Sequence, residues 1–254
     1  MSWAARRRFW ILGGLIALAA VLAAAILFAA VYRAPSCTDT KQNQGEEGVD
    51  CGGPCPYLCA VKTEAPVVQF VRALSPRAGR TDVIAYVENQ NPSAAARSAP
   101  YRIDLYGAGN VIIASSNGTV DLPPKSVVPV YVPNFFSGNQ QVVRVFLTFD
   151  QDSVLWESYR ETRVLPKARS AELGGTPDAP RITAVLQNDD VEPLYNTKVV
   201  ATVFDASGNA VGASQTVLEA IQPQGSASAI FTWNAAFPAP VARIEVKPVI
   251  MLPR

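Results

Sequence analysis

The sequence predicts an all-β protein in which two consecutive β-sandwich domains follow one N-terminal transmembrane helix. Three observations support this fold class. An uncharged apolar stretch runs from Phe9 to Tyr32. Short β-branched segments separated by Gly, Asn and Pro fill the chain beyond residue 63. The order of those segments repeats at roughly the length of one domain, which indicates tandem domains rather than a solenoid.

The apolar stretch, residues 9–32, is long enough to cross a membrane as one helix. A helix of its 24 residues exceeds the roughly 30 Å hydrocarbon core of a bilayer. Trp10 and Tyr32 suit the two interfaces, and positive charge before a first span, here Arg6 to Arg8, tends to stay in the cytoplasm. We therefore expect residues 1–8 to be a cytoplasmic tail and the domains to lie outside the cell membrane. A cleaved signal peptide is the alternative, although its apolar region is usually shorter.

Charge and composition exclude several classes of function. The chain contains 22 Lys and Arg, 21 Asp and Glu, and no histidine. The basic excess lies before residue 36, so the remainder is mildly acidic and unsuited to nucleic acid. Without histidine the chain cannot build a Ser-His-Asp or Cys-His catalytic site. We expect a non-catalytic protein without a cofactor, and no motif indicates a small-molecule substrate.

All the cysteines lie in one polar segment, residues 33–62, directly after the apolar stretch. They are Cys37, Cys51, Cys55 and Cys59. The segment is rich in Gly and Pro and has no apolar periodicity, so cross-links or a metal must hold it together. Outside the cytoplasm an even number of cysteines favours two disulfides, and the sequence does not decide between the three pairings. A zinc site with four cysteine ligands and a redox function are the alternatives.

Acidic and amide side chains surround the same cysteines. They are Asp39, Asn43, Glu46, Glu47 and Asp50. Oxygen ligands at this density can hold calcium, although the spacing departs from the EF-hand loop and acids in a solvated loop are common without an ion. An ion-dependent, metal-sensing or redox-sensing module centred on this segment is therefore the alternative function.

The run QNQGEEGVDCGGPC within this segment resembles a cysteine- and glycine-rich segment found just outside the membrane in various bacterial surface proteins. The resemblance covers the cysteine segment only. It implies a location at the cell surface and no particular activity.

Beyond the cysteines, one series of landmarks occurs twice. The matched pairs are Asn89 and Asn188, Tyr106 and Phe204, Pro124 and Pro223, and Arg144 and Arg243. We expect residues 63–166 and residues 181–254 to form two β-sandwich domains of immunoglobulin-like size. Residues 167–180, which contain two adjacent glycines and two prolines, are predicted to be a linker or an edge segment.

The order of the landmarks resembles the bacterial FxLYD-type immunoglobulin-like domain. The matching runs are ATVFDASGNAVG in the second copy and YRIDLYGAGNVI in the first, which lacks the Asp before the turn. The resemblance implies two tandem immunoglobulin-like sandwiches and leaves their function open.

Two loops at matched places of the copies carry aromatic residues. These are Phe135 and Phe136 in the first copy and Trp233 and Phe237 in the second. Exposed aromatics in loops can anchor a protein partner, but the same residues can instead close the end of a sandwich core. The sequence thus predicts a membrane-anchored surface or envelope protein that displays two domains for interaction with an unknown protein partner or for assembly.

Overall fold

The structure, a computed structural model, describes residues 3–31, 36–77, 79–138 and 140–253. Helix α1 (Trp3–Val31) contains a window, Arg6–Ala29, that is long and apolar enough to cross a membrane, and none of that window is buried. Residues 1–2 of the predicted tail, Tyr32 of the predicted span and residues 33–35 of the predicted cysteine segment lie outside the described residues.

Antiparallel strands make up the part of the chain from Pro56 onward, which forms one compact unit; the residues up to Cys55 form another. The first strands along the described chain are β1 (Val67–Arg77), β2 (Arg80–Asn89), β3 (Ala94–Tyr106), β4 (Ile112–Leu122), β5 (Ser126–Phe136), β6 (Arg144–Phe149) and β7 (Trp156–Ser158). They are followed by β8 (Lys167–Thr176), β9 (Ala179–Gln187), β10 (Leu194–Phe204), β11 (Ala210–Ile221), β12 (Ser226–Thr232) and β13 (Arg243–Pro248). The prediction of a mostly β protein with an apolar N-terminal helix is confirmed.

The two series of strands pair in the same order. In the first sheet pair (β1 to β7), β1-β2-β5 form one sheet and β4-β3-β6 the other, with β7 paired to β3. In the second sheet pair (β8 to β13), β8-β9-β12 form one sheet and β11-β10-β13 the other. Each series thus places its first, second and fifth strands in one sheet and its third, fourth and sixth in another.

Each sheet pair encloses an apolar core built from alternate residues of its strands. Val83, Ala85 and Val87 of β2 point into the first core, and Val199 and Val203 of β10 point into the second. Successive side chains of a strand point to opposite faces, so alternate positions share one core.

Strands β2 and β10 are buried on both faces, because the positions between those core residues are buried as well: Ile84 and Tyr86 in β2, and Val200 and Thr202 in β10. Ile84 and Tyr86 of β2 meet Val200 and Phe204 of β10 in a third buried apolar cluster. This cluster joins the β1-β2-β5 sheet to the β11-β10-β13 sheet. The two sheet pairs are therefore packed against each other through a shared apolar layer.

Three aromatic rings form the centre of this third cluster. The ring centroids of Phe70 and Tyr86 are 4.7 Å apart, and those of Phe70 and Phe204 are 5.9 Å apart in an edge-on arrangement. The Arg243 guanidinium lies 4.0 Å from the Phe204 ring centroid, and the Lys247 ammonium lies 5.4 Å from that of Tyr86. Burial lowers the pKa of Lys247, and the charge of Arg243 lowers it further. Cations over aromatic rings add electrostatic attraction to the apolar contact.

Two matched asparagines, Asn89 and Asn188, are fully buried and hold the same corner of each sheet pair. Each donates hydrogen bonds from its side-chain amide to backbone carbonyl groups at the turn before the fifth strand of its pair. The acceptors at this turn are Leu122 and Pro123 for Asn89, and Ile221 and Gln222 for Asn188. Each amide also donates to one carbonyl group near the start of the third strand, that of Ala94 or Glu192. The landmark that repeats in the sequence is therefore a side chain at the end of the second strand of each pair. It holds the turn through which the chain passes from the other sheet back into the fifth strand of its own sheet.

Residues 167–180, predicted to be a linker or an edge segment, form the edge strand β8 and the turn into β9. The strand pairs with β9 along its length, from Lys167 opposite Gln187 to Thr176 opposite Ala179. Gly174 and Gly175 lie at the end of β8, Pro177 lies in the turn, and Pro180 lies at the start of β9. Gly175 has a φ of +82°, and a Cβ there would lie 2.4 Å from the Ala179 carbonyl oxygen, so this turn requires glycine.

Replacing Phe204 by Ala should destabilise the packing between the sheet pairs. Removal of a buried Phe side chain typically lowers the free energy of unfolding by about 3–5 kcal/mol. Chemical denaturation of the full chain in detergent, followed by near-UV circular dichroism, measures this loss. The matched control is Phe136→Ala, because Phe136 is 69% exposed and its removal should change the free energy by less than about 0.5 kcal/mol. Equal effects of the two substitutions would contradict the shared apolar layer.

Replacing Asn188 by Ala should lower the free energy of unfolding by about 1–3 kcal/mol for each backbone carbonyl group left buried without a donor. Asn89→Ala should have a similar effect, because its hydrogen bonds are the same in kind. Asn234→Ala, at an exposed position, is the control and should leave stability within about 0.5 kcal/mol. If Asn188→Ala were as stable as the control, the corner would not depend on this side chain.

Candidate functional site

Disulfides cross-link the cysteine segment. Cys37 is bonded to Cys55, with their Cα atoms 5.6 Å apart. Cys51 and Cys59 are disulfide-bonded as well, and no cysteine in the described chain is free. Of the pairings that the sequence leaves undecided, the structure thus contains the one between Cys37 and Cys55. The oxidised sulfurs do not offer the thiolates that zinc requires.

Two of the calcium candidates, Asp39 and Asp50, accept hydrogen bonds from nearby backbone and amide groups. The Asp50 carboxylate accepts from the backbone N–H groups of Asp39 and Thr40 at 3.0 and 2.9 Å. The Asp39 carboxylate accepts from the backbone N–H of Lys41 at 3.0 Å and from Asn43 Nδ2 at 2.9 Å. The hydrogen bond from Asn43 is the main cause that lowers the pKa of Asp39. Through these hydrogen bonds, both carboxylates stabilise the folded conformation of the loop.

Glu46 is the buried acid of the segment, with 7% of its surface exposed. Its Oε2 atom accepts from the backbone N–H groups of Asn43 and Asp50 at 3.2 and 3.4 Å. Its Oε1 atom lies 3.1 Å from Cys55 Sγ, which carries no proton because the sulfur is in a disulfide. Glu46 thus links the acidic loop to the cross-link.

The grouping of Cys37, Glu46 and Cys55 brings two sulfur atoms and a carboxylate within 4.8 Å of one another. The sulfurs belong to one disulfide, so they lack the negative charge with which cysteine binds metal ions. Of the remaining calcium candidates, Glu47 is exposed and its carboxylate lies close to Gly52, whereas the Asn43 Oδ1 atom is buried without a hydrogen-bond partner. The carboxylate contacts described here serve the loop itself.

The aromatic residues of the first copy lie in strand β5 and face opposite sides of its sheet. Phe135 is buried, with 7% of its surface exposed, and is part of the first core. Phe136 is exposed, and the Arg80 guanidinium lies 5.4 Å from its ring centroid. Phe136 is therefore exposed to solvent, whereas Phe135 is part of the first core.

The aromatic residues of the second copy close the end of its core. Trp233 and Phe237 contact each other edge-on, with ring centroids 5.0 Å apart, and both pack against the second core. Trp233 Nε1 donates to the Ala213 carbonyl oxygen at 3.2 Å. Phe237 lies so close to Gly212 that a Cβ there would be 2.5 Å from its ring. These two residues therefore have a structural task.

The residues that join the sheet pairs were not among the candidates from the sequence. Phe70, Tyr86 and Phe204 form this contact. A signal was present: the run VIAYV is apolar at every position and VVATVF at all but Thr202, whereas a strand with one solvent-exposed face alternates. Such runs indicate strands that are buried on both faces.

No protein-family model and no curated protein match the chain. Among solved structures it is similar to red sea bream transglutaminase, with 11% identity over 76% of this chain and 32% of that chain, at a TM-score of 0.24. It is also similar to a β-glucuronidase from glycoside hydrolase family 2, with 13% identity over 87% of this chain and 29% of that chain, at a TM-score of 0.22.

A third similar structure is the N-terminal CBM22-1-CBM22-2 tandem domain of Paenibacillus barcinonensis Xyn10C. The identity is 5% over 76% of this chain and 87% of that chain, at a TM-score of 0.15. The chain spans about a third of the length of the transglutaminase and glucuronidase chains. At these TM-scores, no functional residue is transferred from the three proteins.

Replacing Glu46 by Ala should loosen the disulfide segment. The substitution leaves backbone N–H groups without their acceptor, which costs about 1–3 kcal/mol per buried group, so local opening becomes more frequent. We expect trypsin to cleave after Lys41 about tenfold faster, as measured by mass spectrometry of timed digests of the unreduced chain. Glu47→Ala is the control, because Glu47 is exposed, and should change the rate less than about twofold. Equal rates in both variants would show that Glu46 does not hold the loop.

Proposed function

We propose that the chain is a membrane-anchored, non-catalytic surface or envelope protein that presents two tandem immunoglobulin-like domains outside the cytoplasm for protein interaction or assembly. In this proposal α1 is the anchor and the cross-linked cysteine segment is a spacer. The two sheet pairs act together as one interaction module.

The observation that carries the proposal is α1. Its residues from Phe9 to Ala29 are uncharged and apolar on all sides, and none of the window Arg6–Ala29 is buried against protein. In water the apolar side chains of such a helix would remain exposed. A bilayer covers them and leaves the backbone hydrogen bonds of the helix intact.

Charge and redox chemistry support an orientation with the N-terminus in the cytoplasm. Arg6, Arg7 and Arg8 precede the apolar residues, and such charges tend to remain on the cytoplasmic side. The disulfide between Cys37 and Cys55 lies on the other side of the span, and disulfides persist in oxidising compartments.

The identical pairing order of the two sheet pairs supports their assignment to a single domain type. The buried Asn89 and Asn188 form matching hydrogen bonds at matching places. Together with the FxLYD-like runs, this favours two tandem immunoglobulin-like domains of that type, anchored as in bacterial surface proteins.

The acidic side chains already accept hydrogen bonds within the protein, which favours an interaction function over catalysis. The chain has no histidine, and the carboxylates of Asp39, Glu46 and Asp50 accept backbone hydrogen bonds. Phe136, exposed beside Arg80, is the residue at which we expect a protein partner to make contact, because an aromatic ring with a neighbouring cation suits a binding hot spot.

Protease protection of the full chain in its native membrane tests the proposal. With epitope tags at both ends, protease added outside the cytoplasmic membrane should remove the C-terminal tag and leave the N-terminal tag on a small membrane fragment. A cytoplasmic protein that stays intact is the control for leakage. Protection of the C-terminal tag would overturn the orientation, and loss of the N-terminal tag before protease is added would show a cleaved signal peptide.

A further inference from the structure

A cavity of about 390 Å³ opens at the seam between the two sheet pairs. One wall is formed by β3, β4 and β5 of the first sheet pair. The other is formed by β10, β11 and the chain that follows β13. Small-molecule sites are typically concave, of this order of volume, and common at the junction of two domains.

Two cationic side chains line this cavity. Arg97 is paired through its Nε with Glu157, which lies outside the lining, at 2.8 Å. Lys198 is exposed to solvent and forms no ion pair with any residue that the structure describes. The lining therefore offers one ammonium group whose charge nothing in the described chain balances directly.

The carboxylates around the cavity already accept hydrogen bonds from other groups of the protein. Asp121, the carboxylate of the lining, accepts from the backbone N–H of Ser98 at 2.7 Å and from that of Leu252 at 2.8 Å. The Tyr131 hydroxyl donates to the Asp82 carboxylate at 2.7 Å. Neither carboxylate is thus left to receive a ligand cation.

Hydrogen-bond donors remain available in the same lining. The Tyr101 hydroxyl forms no hydrogen bond with the described residues, and burial raises the pKa of Tyr101, so the group stays a neutral donor. Thr119 and Gln215 add polar groups, while Val130 and Val249 supply apolar surface. A cavity with unpaired positive charge, free donors and apolar walls selects for an acid with an apolar body.

We propose that this cavity is a binding site for a small organic anion, a carboxylate or comparable acid on an apolar body, whose charge is met by Lys198 and whose oxygens accept from the hydroxyl groups of the lining. The ligand contacts both sheet pairs, since the walls come from both. Binding therefore also holds the two sheet pairs together.

The test uses two probes of the same shape, the anion 4-(trifluoromethyl)benzoate and the neutral 4-(trifluoromethyl)benzamide. The full chain in neutral detergent is titrated with each probe, and the ¹⁹F chemical shift is followed against a detergent blank. We expect saturable binding of the acid, with a Kd near the millimolar level that a fragment of this size reaches, and binding at least about tenfold weaker for the amide.

Two charge reversals locate the site. Lys198→Glu should weaken binding of the acid at least about tenfold, whereas Lys167→Glu, on the exposed edge strand β8, should change it less than about twofold. Tyr101→Phe should weaken it severalfold without loss of the fold, because the ring contacts remain. Equal affinity for acid and amide, no saturable shift with either probe, or the same response in the two lysine variants would overturn the proposal.

Discussion

The burial of β2 and β10 on both faces is the constraint on which the unit beyond Pro56 depends. Val83 and Val87 of β2 belong to one core, and Ile84 and Tyr86 between them belong to the layer shared with the second sheet pair. A shift of register by one residue would exchange these two sets of side chains. Because each set fits a different neighbour, the alignment of β2 fixes both the first core and the packing of the two sheet pairs.

The two compact units are stabilised by different interactions. The sheet pairs bury alternate apolar residues, as in Ile182, Ala184 and Leu186. In the described residues 36–55 no such core is present, and the Cys37–Cys55 disulfide is combined with a buried carboxylate, Glu46, that accepts backbone N–H groups. Polar, glycine-rich sequence can thus take up a defined structure where the compartment permits disulfides.

Local patterns in the sequence predict the strands well and the long-range contacts poorly. The repeated Asn89 and Asn188 were recognisable because turn and strand signals surround them. The edge strand β8 resembled a linker, since an exposed strand with glycines carries no alternation that would reveal it. The burial of Phe135 beside the exposed Phe136 depends on which face of β5 meets the core, and that is decided by distant strands.

The two sheet pairs meet through unlike faces: the outer face of β1-β2-β5 on one side and the outer face of β11-β10-β13 on the other. A heterologous contact of this kind does not close by symmetry, and its repetition between chains would grow a filament. The outer face of the β4-β3-β6 sheet corresponds in the first sheet pair to that of β11-β10-β13, but it does not carry the same apolar surface. Where β10 buries Val200 and Thr202, β3 carries Arg102 and Asp104, ion-paired at 2.9 Å. This outer face therefore carries charge where the other carries buried side chains, so it does not repeat the apolar surface through which the two sheet pairs pack.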